Sequence, residues 1–204
     1  AAGCETRQTA LPKAADGTPE DGLSQGRKPP PEKHKNRLTA MTQRTIKKGN
    51  TKTVMAEGYE ALAGFALSVP ALFNGGRGET LHSGRNTVKA FDADGRRLVA
   101  KRYKRPNMVQ RIAYTFFRKS KAERAFIYAR TLRKLGFDTP HEAAYIEIRR
   151  NGLLSDSYFI SEECNLPPLM PLLDRDNPDQ QAAEDLASLL ADMHVKGALH
   201  GDLN

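Results

Sequence analysis

The chain of 204 residues has no tryptophan, two cysteines and no run of eighteen apolar residues. Because Cys4 and Cys164 lie in segments of different composition, neither a disulfide framework nor a cysteine metal site is predicted, and a reducing compartment is expected. The N-terminus also lacks a basic stretch followed by an apolar one. With no candidate membrane span or secretory signal in the sequence, we predict a cytoplasmic protein.

Apolar residues are scarce in the first fifty positions. Residues 1–51 mix Pro, Gly, Thr, Lys and Glu, and they show neither helical nor strand periodicity. Such a segment cannot bury enough apolar surface to offset the entropy lost on ordering. We therefore predict a disordered basic tail over 1–51, followed by about 150 residues able to fold.

Acidic residues are nearly missing from the middle of the chain. The net charge is +8, and residues 101–134 contain twelve Lys or Arg against one acid, Glu123. This excess favours an anionic partner, such as a nucleotide phosphate, a nucleic acid or an acidic membrane surface. A membrane surface suits the mixture of apolar and basic side chains in this stretch, and a merely solvated basic face is the alternative. The mixture comprises Ile112, Phe116 and Phe117 with Arg111, Arg118 and Lys119.

Alternation of apolar and polar residues predicts five strands, which lie at 79–82, 87–91, 97–103, 145–148 and 157–160. Apolar residues at helical spacing predict a short lead-in over 59–73 that Pro70 interrupts, and helices over 108–117 and from Ser120 to a stop at Gly136. A further helix is expected after an Asn177 cap, with an apolar stripe over 182–193. The predicted fold class is α+β, with a five-stranded antiparallel sheet.

Phosphate-binding chemistry is indicated on the third predicted strand. Leu98-Val99-Ala100-Lys101 occupies the place of the V-A-I-K motif, in which the lysine ammonium holds the α and β phosphates of ATP. Alternation puts Val99 on the face of Lys101, where it would cover the adenine. The alternative is a solvated lysine on an edge strand.

Glu123 has two interpretations. A kinase needs a carboxylate on the helix after the lysine strand to hold that lysine, and Glu123 lies at this place. However, Ser120-Lys121-Ala122-Glu123 is also a capping box, in which Glu123 would reach back to the start of its own helix. The sequence leaves both interpretations open.

Two further segments are predicted to contact the nucleotide. The turn between the first two strands, formed by Ser83, Gly84, Arg85 and Asn86, would lie over the phosphates, and the glycines at 75, 76 and 78 would be a flexible entry to it. Backbone groups of Glu162–Cys164 would border the adenine as a hinge, with Cys164 a packing residue rather than a reactive thiol.

The chain ends in His200-Gly201-Asp202-Leu203-Asn204, which matches the start of a phosphotransferase catalytic loop, H-x-D-L. There Asp202 would accept the proton of the attacking hydroxyl, whereas a helix or turn cap is the alternative role. In the kinase pattern a magnesium-binding asparagine follows five residues later, so the metal ligands are expected beyond the chain end.

Together with residues 112–124, Ser83–Asn86 and Lys101, this ending resembles the lipopolysaccharide core kinase family, which phosphorylates Kdo or heptose sugars. The resemblance covers about 51–204 and implies a protein-kinase-like small lobe over 52–162, then a hinge and the first part of a helical large lobe over 163–204. It implies ATP and Mg²⁺ as cofactors, a core sugar as acceptor, Lys101 and Glu123 as an ATP-binding pair, and Asp202 as the catalytic base. The present chain, which stops inside the loop, is expected to be inactive alone.

Two other functions remain open. One is a protein or aminoglycoside kinase of the same fold, since H-G-D-L is shared with such enzymes. The other is a non-catalytic basic module that binds anionic lipid or nucleic acid, and it would be recognised by affinity that depends on net charge rather than on Lys101. For the kinase we expect no nucleic-acid partner and peripheral contact with the anionic inner membrane.

Overall fold

A computed structural model of the chain describes residues 43–173 and 176–199. Within these residues, seven antiparallel strands form one sheet in the order β1-β2-β6-β7-β5-β4-β3. The strands are β1 (Arg44–Lys48), β2 (Thr51–Met55), β3 (Glu79–Ser83), β4 (Thr87–Ala93), β5 (Arg96–Arg102), β6 (Glu142–Arg150) and β7 (Leu153–Glu162). The fold is therefore α+β, as predicted.

In the described part of the chain, four α-helices accompany the sheet: α1 (Ala63–Asn74), α2 (Met108–Phe116), α3 (Lys121–Lys134) and α4 (Gln180–Val195). Short 3-10 turns precede α1 and α4, at Glu60–Leu62 and Met170–Leu173. Helix α1 packs on one sheet face through Phe73, whose ring meets that of Tyr158 on β7. Helix α3 packs on the other face, where the rings of Phe126 and Tyr145 meet edge to face. Because both faces are covered, β7 is buried along most of its length.

Local sequence signals account for most element boundaries. Helix α3 starts where the Ser120 hydroxyl accepts a hydrogen bond from the Glu123 amide, and it is followed by Gly136 at a φ of +85°. Between β6 and β7, Asn151 and Gly152 have φ values of +53° and +76°, which confirms the predicted tight hairpin. Since this turn sets the register, Arg150 lies opposite Leu153.

The prediction of five strands is wrong, although four of the five lie within observed strands and the fifth, 97–103, exceeds β5 by one residue. The additional pair β1 and β2 forms a hairpin that extends the sheet beyond β6. Strand β1 also lies inside the stretch predicted to be a disordered tail, so the sheet begins at Arg44 rather than after residue 51. Most of β1 is exposed, and Val54 and Met55 at the end of β2 supply the buried apolar surface. A pattern with so few buried positions is hard to recognise in the sequence.

The segment predicted as a short lead-in is a full helix that continues through Pro70 to Asn74. Proline lacks an amide proton and should cost the helix one hydrogen bond. Packing outweighs this loss, because Ala66, Val69 and Phe73 are buried against the sheet. Pro70 therefore does not interrupt the helix, which contributes to the core.

Helix α4 differs from its prediction at its start. Its N-cap is Asp179, whose carboxylate accepts a hydrogen bond from the Ala182 amide at 2.9 Å, rather than Asn177. No residue of α4 is buried, and its C-terminal Lys196 ammonium lies 4.6 Å from the ring centre of Phe137. Among the described residues, no helix combines the length and apolar character needed to cross a membrane.

Candidate functional site

Strand β5 presents Val99 and Lys101 on the sheet face that α3 covers. Directly opposite residues in neighbouring strands share a face, and Lys101 lies opposite Phe159, which lies opposite Tyr145. Tyr145 contacts α3 through the Phe126 ring, which identifies this face. It is called the α3 face below.

The two ends of β5 lead to the two other segments predicted to contact a nucleotide. Arg102 lies opposite Thr87, the residue after the Ser83–Asn86 turn, whereas Leu98 lies opposite Glu162. Arg102 lies four positions after Leu98 in extended chain, so the two residues are about 13 Å apart. Val99 and Lys101 therefore lie between the turn and the Glu162–Cys164 segment on one strand.

The predicted ion pair between Lys101 and Glu123 is not formed in this structure. The Lys101 ammonium lies 5.4 Å from the ring centre of Tyr103, while the Glu123 carboxylate is 3.6 Å from the ammonium of Lys119. The capping interpretation is confirmed in its first half, since the Ser120 hydroxyl accepts from the Glu123 amide. The Glu123 side chain, however, pairs with Lys119 and not with the helix start.

The Glu123 carboxylate does not reach Lys101, because Glu123 lies on the side of α3 that faces β2 and β6. Its charge acts on Tyr145 and Lys52 there. Burial lowers the pKa of Lys52, but Tyr145, Glu147 and Glu123 together outweigh burial and keep it above the ordinary value. The strand β7 separates this region from β5.

The sequence analysis missed Arg124 of α3, whose charge acts on Tyr103, the residue whose ring centre lies 5.4 Å from the Lys101 ammonium. Burial raises the pKa of Tyr103 to about 12, and the positive charge of Arg124 opposes that rise. The Nε of Arg124 is buried without a hydrogen-bond partner among the described residues. A buried donor without an acceptor is costly, so this position suits an anionic oxygen.

An open cavity of about 450 Å³ lies beside the Ser83–Asn86 turn, at the end of β5. Two residues of the predicted phosphate-binding turn line the cavity, and four of its lining side chains are cationic, including one from the turn. Its lining is formed by Gly84, Arg85, Thr87, Arg102, Tyr103, Lys104, Arg105 and Asp156. The Asn86 side chain fixes the turn to the end of β5 by accepting a hydrogen bond from the Lys104 amide at 3.1 Å.

Asp156 is the carboxylate of this cavity. Its Oδ1 is 2.6 Å from Arg105 Nε, and its Oδ2 accepts a hydrogen bond from the Ser155 hydroxyl at 2.7 Å. Burial favours the neutral acid, but these hydrogen bonds and the charges of Arg105 and Arg150 hold the pKa of Asp156 below its ordinary value. One of the four cations is thus paired, and the cavity keeps a net positive lining suited to a phosphate group.

The Glu162–Cys164 segment is held at the other end of β5. The amides of Glu162 and Glu163 donate to the carbonyls of His141 and Arg97, at 2.9 and 3.1 Å. The Glu162 carboxylate accepts from Tyr59 and from Arg96, each at 2.8 Å. Although burial opposes them, these bonds lower the pKa of Glu162. Two of the three amides are therefore engaged within the sheet, whereas Cys164 is exposed with a free thiol.

Arg97, on the same face as Lys101, organises this end of the sheet and was also missed. Its guanidinium bonds to the carboxylates of Glu79 on β3, Asp92 on β4 and Glu163 after β7. Alternation along β5 identifies its face, but its three partners come from distant segments. The cluster ties the edge hairpin to the segment that leaves the sheet.

The predicted catalytic Asp202, with His200 and Gly201, lies outside the described residues. Within the described part of the chain, no group of three His, Cys, Asp or Glu side chains could hold a metal ion. The described residues therefore offer groups for a phosphate but no magnesium site.

Comparison with known proteins gives one distant likeness in fold. No protein-family model matches the chain, and no curated protein matches it. A solved structure of "WaaP in complex with acyl carrier protein" is similar at 19% sequence identity and a TM-score of 0.43, over 70% of this chain and 56% of that chain. The chain thus spans little more than half the length of that structure, and a function must be argued from its own residues.

Proposed function

We propose that this chain forms the ATP-binding part of a protein-kinase-like phosphotransferase that acts on a sugar hydroxyl of the lipopolysaccharide inner core. The supporting observation is the common strand: Val99 and Lys101 lie on the α3 face of β5, between the Ser83–Asn86 turn and the Glu162–Cys164 segment. This arrangement has the order that a nucleotide needs, with phosphates at one end and adenine at the other.

Each group has a proposed role. Bound ATP would supply the phosphoryl group, and the Lys101 ammonium would hold its α and β phosphates. Arg124, whose buried Nε has no hydrogen-bond partner among the described residues, would be a second donor for the phosphates. Backbone groups next to Cys164 would contact the adenine, and Asp202 would accept the proton of the sugar hydroxyl.

Nucleotide binding tests the first part of this proposal. We expect Lys101→Met to weaken binding of a fluorescent ATP analogue by tenfold or more, because a charged hydrogen bond contributes about 1.5–3 kcal/mol. Lys47→Met is the matched control, since this exposed lysine lies on β1 at the opposite edge of the sheet. Equal losses in the two variants would show that binding depends on net charge, as in a basic module.

Transfer to an acceptor tests the second part. In a protein extended through the segment expected to hold magnesium, radiolabelled ATP should label lipopolysaccharide core sugar more than an aminoglycoside or a peptide, and Asp202→Asn should abolish labelling while ATP binding persists. Preferred labelling of the aminoglycoside or the peptide would favour the kinase alternatives. ATP binding by the extended protein without any labelling would leave a nucleotide-binding protein and refute the transferase.

A further inference from the structure

Helix α2 exposes its apolar side chains to solvent. Met108, Val109, Ile112 and Phe116 follow one stripe at the spacing i, i+1, i+4 and i+8, and Phe117 follows at the C-cap. The exposed fractions are 77% for Val109, 69% for Phe116 and 81% for Phe117. No residue of α2 is buried. This set of five residues is called the α2 stripe.

Polar bonds, rather than apolar packing, hold α2 on the sheet. Arg111 Nε and Nη2 donate to the carbonyls of Leu154 and Arg150, at 2.9 and 3.1 Å. The Thr115 hydroxyl accepts from the Leu154 amide at 3.0 Å. A capping box between Asn107 and Gln110 fixes the helix start. The orientation of the helix is therefore set from its polar side, which directs the α2 stripe away from the core.

Cations flank the α2 stripe at both ends. Lys104 and Arg105 precede the helix, and Arg118 and Lys119 follow it, all of them exposed. Arg105 pairs with Asp156 and Lys119 with Glu123, and no ion pair forms at Lys104 or Arg118 within the described part of the chain. The sequence has no Asp or Glu between residues 95 and 122. An apolar stripe with cations at its ends is complementary to a surface that is anionic outside and apolar beneath.

The segment that follows the sheet leaves it at the end of β7 that is remote from α2. Helix α2 is bonded to β7 near Leu154, whereas β7 ends at Glu162, roughly 26 Å further along at 3.3 Å per residue. The α2 stripe is also convex, because it lies on the outer side of a helix. A convex apolar ridge does not form the concave pocket that a small-molecule ligand needs, so a surface is the kind of partner that it fits.

We propose that α2 docks this protein on anionic membranes, with the α2 stripe at the boundary of headgroups and acyl chains and the flanking cations at lipid phosphates. The inference concerns a surface remote from the Glu162–Cys164 segment and does not depend on kinase activity. It assigns the basic segment a lipid partner rather than a solvated face.

Insertion is tested with a single fluorophore. Because the chain lacks tryptophan, Phe116→Trp provides a probe without background. With vesicles of phosphatidylglycerol and phosphatidylcholine, we expect a blue shift, protection from acrylamide and quenching by brominated acyl chains. Val195→Trp, at another exposed position, on α4, is the control and should show none of these changes. An unchanged Phe116→Trp spectrum at saturating vesicles would overturn the proposal.

Co-sedimentation tests the two components separately. We expect Ile112→Ser with Phe116→Ser, and separately Arg118→Glu, to weaken vesicle binding by about tenfold or more, and added salt to weaken it further. The controls are Tyr128→Ser, exposed on α3, and Arg44→Glu, exposed on β1, and both should bind like the parent chain. Far-UV circular dichroism verifies that every variant is folded.

Other partners give different results. Tighter binding to a DNA duplex or to polyglutamate than to anionic vesicles would refute a lipid surface and indicate a nucleic acid or an acidic protein. Equal binding to neutral and anionic vesicles would contradict the role of the cations. Binding to anionic vesicles that survives the Ile112→Ser and Phe116→Ser changes would contradict the role of the α2 stripe.

Discussion

At the scale of single residues, Gly78 shows how a position can be restricted by its surroundings. It has a φ of +84°, and a Cβ added there would overlap the ring of Phe91. That ring is fixed in the core by Phe65 and Phe73, with ring centres 5.6 and 5.9 Å away. We predict that Gly78→Ala lowers the free energy of unfolding by about 2–4 kcal/mol, because backbone strain and overpacking combine. Urea denaturation measures this loss.

Gly95→Ala is the control for the backbone contribution. Gly95 has a φ of +69° and no atom within 4 Å of an added Cβ, so about 1–2 kcal/mol of strain is expected. Equal losses at the two positions would show that Phe91 moves aside freely. The sequence analysis expected the glycines at 75, 76 and 78 to form a flexible entry. It could not predict the restriction at Gly78, because glycine spacing does not reveal contact with a ring that is distant in sequence.

At the scale of elements, a buried carboxylate joins α3 to the sheet. Glu142, the first residue of β6, has a side chain only 1% exposed, and it pairs with Arg130 at 3.1 Å and with Arg133. Removing its charge leaves two arginines beside a neutral amide. We predict that Glu142→Gln lowers the free energy of unfolding by about 3 kcal/mol, since breaking a buried ion pair exposes the penalty of unpaired charge. Thermal or urea unfolding provides the measurement.

Asp92→Asn is the control, because Asp92 pairs with Arg97 at the surface, where its side chain is 78% exposed. Exposed pairs contribute about 0–1 kcal/mol, so little change is expected. If Glu142→Gln were equally mild, solvent would have to reach the pair, and α3 would be held mainly by Phe126.

The elements that the sequence predicted were those with local signals. The alternation in β5, the Asn151-Gly152 turn and the helix stop at Gly136 are each determined by a few consecutive residues. The two arginine partners of Glu142 and the separation of Glu123 from Lys101 could not be predicted in this way, because the rotation of α3 about its axis depends on packing against β6. For the candidate site, alternation predicted the face shared by Val99 and Lys101, but not Arg124 as the nearby charge.

At the scale of the whole molecule, burial decreases from the centre of the sheet outward. Strands β6 and β7 are covered by helices on both faces, whereas the edge strand β3 is exposed at every residue and β1 at all but one. Helix α4 has no buried residue, and its main contacts are with the preceding 3-10 turn. Local opening should therefore require the most free energy at the centre and the least at the edges and in α4.

Amide hydrogen exchange followed by mass spectrometry tests this distribution. We predict that peptides from β6 and β7 exchange most slowly, close to the rate set by global unfolding, and that peptides from α4, β1 and β3 exchange orders of magnitude faster. Edge amides open without disturbing the two-sided core, and α4 can fray without uncovering any buried side chain. Protection of α4 equal to that of β7 would contradict the prediction and would mean that its apolar side chains pack against a surface absent from the described residues. Fast exchange throughout β7 would instead show that the cover provided by α1 and α3 is loose in solution.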